Sequence, residues 1–220
     1  MLASAETVSV VAETLKAHAV PVIVLDPVRS PFTTLSYPRF FRKIHAQCLA
    51  QVIVAASGAE LLPGDAVQLL RERLLPIATI LTPNLPEAAL LLRDAGIHFK
   101  APEDLEGAKS LAKKVHNLGA KAVLLKGEHM PLTRAYKRPD EHEEPSLIVD
   151  ILYDGNEFTF IESKYLKSRN THGTGCSLAS AIAANLASRS DYGNCCPKCV
   201  SICRSRYHDK PRSGIGQRTH

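Results

Sequence analysis

The hexapeptide Val22-Ile23-Val24-Leu25-Asp26-Pro27 joins four consecutive apolar residues to an acid and a proline. A run that short, apolar toward both sides and closed by a turn signal, reads as a parallel strand covered on both faces. Upstream, Ser4 can cap a helix reaching about His18, with Val8, Val11, Leu15 and Ala19 along one side. Downstream the alternation repeats. A helix near 64–74 precedes the strand Ile77–Leu81; helices follow from about Leu85 to Asp94 and over 103–118, and Ala122–Leu125 makes the next strand. An antiparallel pair, Leu147–Tyr153 and Glu157–Ile161 around Asp154-Gly155-Asn156, comes before a helix opened by Thr171–Cys176 and running to about Ala187. Strands alternating with amphipathic helices predict an α/β fold: an open, mostly parallel sheet flanked by helices on both faces.

Length and composition agree with one such domain. The 220 residues are 45% apolar, enough to bury a core. No uncharged apolar run reaches membrane-spanning length, and the N-terminus lacks the basic start and apolar stretch of a secretory signal, so a soluble, cytoplasmic chain is expected. Four of the six cysteines crowd into 195–203, so they cannot form a disulfide framework spread over the fold. The formal charge of +5 is unevenly spread: residues 189–220 and 28–51 carry net +5 and +4, and everything else sums to −4. A basic chain invites a nucleic-acid or membrane partner. Here the basicity lies wholly in two segments that differ in character from the rest.

In open α/β sheets ligands sit beyond the carboxyl ends of the strands. The residues delivered there are Asp26 after the first strand, Thr82-Pro83-Asn84-Leu85-Pro86-Glu87 after the second, and Lys126-Gly127-Glu128-His129 after the third. Asp26 and Glu87 are hard oxygen ligands suited to Mg²⁺ directly or through its waters, and Lys126 can neutralise phosphate charge. Gly173, Thr174 and Gly175 at a helix start can turn backbone N–H groups toward an anion, which the helix dipole also favours. Cys176 follows that turn, where a thiol pKa can fall from about 8.5 and the group can act as a general base. Each position has a bland alternative. Asn84-x-x-Glu87 fits a helix capping box, Asp26-Pro27 an ordinary turn, and Cys176 a small buried hydrophobe. Their convergence on one sheet edge favours the functional reading.

The motifs Asp26-Pro27, Ser57–Leu62, Leu81–Ala88, Lys126-Gly127-x-His129 and Thr171–Cys176, in this order, resemble the hydroxymethylpyrimidine/phosphomethylpyrimidine kinases of thiamine biosynthesis, members of the ribokinase-like fold. Cys176, where pyridoxal kinases have Asp, points to the pyrimidine branch. The resemblance implies ATP- and Mg²⁺-dependent phosphorylation of the pyrimidine hydroxymethyl group and then of its monophosphate. By matching motifs, Asp26 and Glu87 would manage Mg²⁺, Asn84, Lys126, Thr174 and Gly175 would serve ATP, and Gly173, Thr174, Gly175 and Cys176 would supply the anion hole and base. Glu128 departs from the family, which usually has a second glycine there. The partners implied are ATP and a small pyrimidine, with no specific nucleic acid and no membrane; a homo-oligomer is left open. A pyridoxal-type kinase and a non-catalytic nucleotide-binding relative are the alternatives.

The likeness covers 1–188 as a partial kinase domain, with the family's opening strands absent at Met1. Residues 28–51 separate Pro27 from Val52; without them the chain reads Asp-Pro-Val-Ile-Val-Ala-Ala-Ser-Gly, the family's continuous form. These 24 residues, or 72 bases, can begin with GT and end with AG, which suggests a retained intron; a surface insertion is the alternative. From Tyr192 the helical pattern is expected to stop, and Tyr192–Gly214 read in a shifted frame gives a helix-like segment, so 189–220 is expected to be a frameshifted, disordered tail. Its rival reading is a zinc module on Cys196, Cys199, Cys203 and His208, whose spacing matches no common finger. Negligible pyrimidine phosphorylation is expected of the chain as written, and restored activity once start, junction and tail are repaired.

Overall fold

The computed structural model describes residues 4–28, 46–52, 63–165, 174–188, 191–192 and 194–200, with backbone alone at 27–28, 46–52 and 174–176. In chain order the elements are α1 (Ala5–Ala17), β1 (Val22–Val28), β2 (Ala46–Val52), α2 (Gly64–Leu69), β3 (Ile80–Leu81), α3 (Leu85–Asp94), α4 (Leu105–His116), β4 (Val123–Leu125), β5 (Leu147–Tyr153), β6 (Phe158–Lys164) and α5 (Thr174–Ala187). They form a six-stranded sheet in the order β2-β1-β3-β4-β5-β6. The first four strands are parallel, and β5 and β6 are added antiparallel. This is the predicted α/β architecture.

Local sequence explains most boundaries. Ser4 Oγ accepts from the Thr7 N–H at the start of α1, and Asp104 caps α4 through Gly107. A complete capping box opens α3. That helix ends at Gly96, whose φ of +69° suits a residue without Cβ, while the Ile97 N–H returns to the Leu92 carbonyl. After α2 the chain widens through a π turn over Leu70–Leu74 and then tightens into a 3₁₀ turn over Leu75–Ile77.

The last of these corrects an expectation. The strand read as Ile77–Leu81 is reduced to Ile80–Leu81, because Pro76 holds Leu75–Ile77 in the 3₁₀ turn. Strand β1 also runs past Asp26 to Val28, since all seven of its residues pair in register with β2. Six of the seven β2 residues lie within 28–51; the rest of that insert, 29–45, lies outside the described residues. Nor does the helical pattern stop at Tyr192. Residues 194–200 are helical and bury Cys195, Cys196, Cys199 and Val200 against α5 and the sheet. The remainder of the tail, with Cys203 and His208, lies outside the described residues.

Two apolar layers flank the sheet. Ile23, Leu25, Leu81, Val123, Leu125, Val149 and Ile151 face the helices α1 to α4, with Leu70, Leu74, Leu91, Leu92 and Leu111 among the buried side chains. Val24, Ile80, Leu124, Leu152 and Ile161 face the other way, onto Leu178, Ala179, Ile182 and Ala183 of α5. Within β1, β3, β4 and β5 odd and even positions thus divide between the two layers, as strand pleating requires, and in β6 the parity is reversed because Ile161 pairs with Asp150. No helix among the described residues is long and apolar enough to cross a membrane.

Candidate active site

The even-numbered positions carry the site. Continuing β1, β3 and β4 by the same alternation puts Asp26, Thr82 and Lys126 on the face covered by α5, at the carboxyl edge of the parallel strands. Asp26 is fully buried, and Thr82 and Lys126 nearly so. The Thr82 hydroxyl donates to Asp26 Oδ1 at 2.8 Å, and Lys126 Nζ donates to the same oxygen at 3.2 Å. Glu87 Oε2 lies 3.9 Å from Lys126 Nζ, so the ammonium sits between two carboxylates.

Backbone contacts fix each member. The Lys126 N–H donates to the Pro83 carbonyl at 2.8 Å, and Asn84 and Lys126 form an isolated parallel bridge that prolongs the β3–β4 pairing. Glu87 is held by the cap of α3: its Oε2 accepts from the Asn84 N–H at 2.8 Å and its Oε1 from Asn84 Nδ2 at 3.0 Å. The capping-box reading of Asn84 and Glu87 is therefore realised in full, beside the lysine.

Electrostatics follow from burial. Desolvation pushes the Glu87 carboxyl up to about 8, with Lys126 pulling it down and Asp26 adding to the rise. Burial pulls the Lys126 ammonium down, but the charges of Asp26, Glu87 and Glu128 outweigh it and hold the group above the ordinary lysine value. Lysine is thus the fixed charge of the cluster near neutral pH. Glu128 points partly into solvent, its carboxylate 3.6 Å from His129 Nδ1, while its field still reaches Lys126 and Glu87.

A cation fits this donor set through Asp26. Its Oδ2 is buried without a hydrogen-bond partner among the described residues, and it is a hard oxygen of the kind Mg²⁺ takes. Glu87 fits through water rather than directly, since both its oxygens accept from Asn84. Among the described residues no three His, Cys, Asp or Glu side chains gather to hold a metal. Two carboxylates completed by phosphate and water are what Mg²⁺ requires.

The second half of the expected site lies on α5. Strand β6 runs parallel to β1, β3 and β4, so the chain leaves it at Lys164 on the same edge as Asp26, and α5 begins at Thr174. Thr174, Gly175 and Cys176 form the first turn of that helix, one turn before Leu178 packs on the sheet. Gly173, with Thr171 and His172, lies outside the described residues, as does the Ser57–Leu62 motif. Asp26, Asn84, Glu87 and Lys126 are brought together in direct contact.

Two members escaped the sequence reading. Thr82 was visible as part of a motif but not as the donor to Asp26. Asp150 on β5 is buried and accepts from the Gly127 N–H at 2.8 Å. A lone acid in an apolar strand run, Leu147–Tyr153, is the signal that could have marked it.

Known proteins are similar to this chain in sequence and fold. The sequence profile of the family described as phosphomethylpyrimidine kinase matches residues 40–217. A Schizosaccharomyces pombe protein of the hydroxymethylpyrimidine/phosphomethylpyrimidine kinase type is 38% identical over 187 residues, which are 85% of this chain and 29% of that one. The crystal structure of a phosphomethylpyrimidine kinase from Clostridium difficile superposes with a TM-score of 0.57 at 26% identity, covering 94% of this chain and 64% of that one. An ADP complex of Bacillus subtilis pyridoxal kinase gives a TM-score of 0.62 at 27% identity, over 93% and 60%. The chain thus spans less than two thirds of the length of each of these proteins. With the profile matched over most of its residues and the buried acid–lysine cluster at the expected sheet edge, the chain belongs to the phosphomethylpyrimidine kinase family.

Proposed function

We propose that this chain carries out ATP-dependent phosphorylation of hydroxymethylpyrimidine and of its monophosphate, a step of thiamine biosynthesis. The observation that carries this reading is the contact of Lys126 with Asp26 and Glu87 at the edge where α5 is fed from β6. Phosphoryl transfer needs positioning and charge more than covalent chemistry, and those are what the cluster offers.

In this reading Lys126 stays protonated through the neutral range and neutralises charge on the transferring group. Gly173, Thr174 and Gly175 offer backbone N–H groups to the phosphates at the start of α5. Asp26, and Glu87 through water, would hold Mg²⁺, which would supply further charge neutralisation for the triphosphate. The substrate hydroxyl oxygen bonds to the γ-phosphorus as the bond to the ADP oxygen breaks, and the hydroxyl proton passes to the Cys176 thiolate. Cys176 in place of aspartate favours a pyrimidine alcohol over pyridoxal.

Residues 28–51 fit the same reading as a retained intron, with Pro27 and Val52 joined in the working enzyme. The experiment is an ADP-release assay on the full chain and on the version with that junction closed, each given hydroxymethylpyrimidine or pyridoxal. Expected is pyrimidine-dependent ADP release in the joined version, with negligible release from the full chain. Preference for pyridoxal would transfer the reading to the pyridoxal kinases, and nucleotide binding without release in either version would make the chain a non-catalytic relative.

A further inference from the structure

We propose that Asp150 is a positioning residue for phosphoryl transfer, acting through Gly127 to aim Lys126; this rests on the kinase reading above. Lys126 is the last residue before the chain turns away from the sheet. On one side its own N–H is tied to the Pro83 carbonyl beyond β3. On the other, the next residue is gripped by β5: the Gly127 N–H donates to Asp150 Oδ1 at 2.8 Å, and the Gly127 carbonyl accepts from Met130 to close the turn. Gly127 lies so close to β5 that a Cβ there would overlap the Val149 carbonyl. The peptide after Lys126 is therefore clamped from β5 as firmly as the peptide before it is clamped from β3.

A long lysine side chain reaches a fixed point only if its backbone is fixed. Lys126 Nζ must meet Asp26 Oδ1 at 3.2 Å within reach of Glu87, and rotamer freedom alone would let it swing away. Asp150 holds the hinge itself, the peptide from which the Lys126 side chain departs, through the Gly127 N–H. Its carboxylate is buried, and a charged acceptor bonds a backbone N–H more strongly than a neutral one. Asp150 lies on the same sheet face as Lys126, one strand farther along, with its Oδ1 turned to the Gly127 N–H.

The test labels the full chain with an amine-reactive succinimidyl ester and follows each lysine by peptide mass spectrometry. Removing the acceptor in D150A frees the turn, so labelling of Lys126 should rise at least about fivefold, while exposed Lys121 and Lys113 label as before. D150N keeps an oxygen facing Gly127 and should bring Lys126 back to within about twofold of wild type, a rescue that loss of packing alone would not produce. Where the wild type turns over, D150A should lower kcat with the KM for the pyrimidine unchanged. Equal Lys126 labelling in D150A and wild type, a rise shared by all lysines, or failure of D150N to restore protection would overturn the inference. Absence of pyrimidine-dependent ADP release from both the full chain and the version with Pro27 joined to Val52 defeats the kinase reading instead, and the labelling comparison still decides whether Asp150 holds Lys126.

Discussion

Replacing Lys126 with methionine keeps most of the side chain's bulk and removes its charge. In the wild type the ammonium is nine-tenths buried and bonds Asp26 Oδ1 at 3.2 Å, while Glu87 is pushed toward its neutral form. The pair that matters near pH 7 is therefore Lys126 with Asp26. Without the lysine, the fully buried Asp26 carboxylate keeps, among the described residues, only the Thr82 hydroxyl. Leaving one member of a buried ion pair uncompensated costs about 3–5 kcal/mol. For a domain of this size that corresponds to a fall in Tm of roughly 6–20 °C. The double variant K126M with D26N removes the orphaned charge, and should recover most of the loss in urea unfolding followed by circular dichroism. If K126M alone unfolds within about 1 kcal/mol of wild type, or the double variant is no better than K126M, the charge-pairing account of the cluster is wrong. Neither variant should release ADP, because both lack the ammonium.

Glu87 sets a pH dependence. Its folded-state pKa of about 8 lies above the ordinary carboxylate value, so the folded chain holds a proton that the unfolded chain has lost. Its contribution is therefore fully present at acid pH and declines as pH rises toward about 8, with a slope of up to about 1.4 kcal/mol per pH unit. Urea midpoints compared at pH 5 and pH 8 should show that fall in wild type and a flatter profile in E87Q; an unchanged slope would contradict the burial argument. For G127A, overlap of the new Cβ with the Val149 carbonyl should lower stability by roughly 1–3 kcal/mol, read as an earlier thermal transition. Sequencing transcripts across the 28–51 region should find Pro27 joined directly to Val52, and the insert's presence in every transcript would dismiss the intron hypothesis.

Much of the frame was legible because it is local. Helix α3 was expected from about Leu85 to Asp94 and Asn84-x-x-Glu87 fitted a capping box, and the structure agrees with both. The acids, amide and lysine that follow β1, β3 and β4 could be assigned to one edge because parallel strands all deliver their carboxyl ends to the same side. What failed also failed for a local reason: Pro76 overrode an apolar run that otherwise reads as strand. Sequence pattern could not foresee that Ala46–Val52, a stretch that looked foreign, pairs along the whole of β1. Nor could it see the cysteines of 194–200 as core, because burial depends on what covers a residue.

The amino-acid order by itself determined which chemical groups stand at strand ends, since periodicity and turn residues act over a few neighbours. Only the tertiary structure decided which of them touch. Lys126 and Asp26 are a hundred residues apart, Thr82 and Asp26 fifty-six, and Asp150 and Gly127 twenty-three. Strand order and pleat bring those pairs together, and burial then sets their charge. Pairing over such separations is chosen by the cooperative packing of the whole sheet, which no short window of sequence contains.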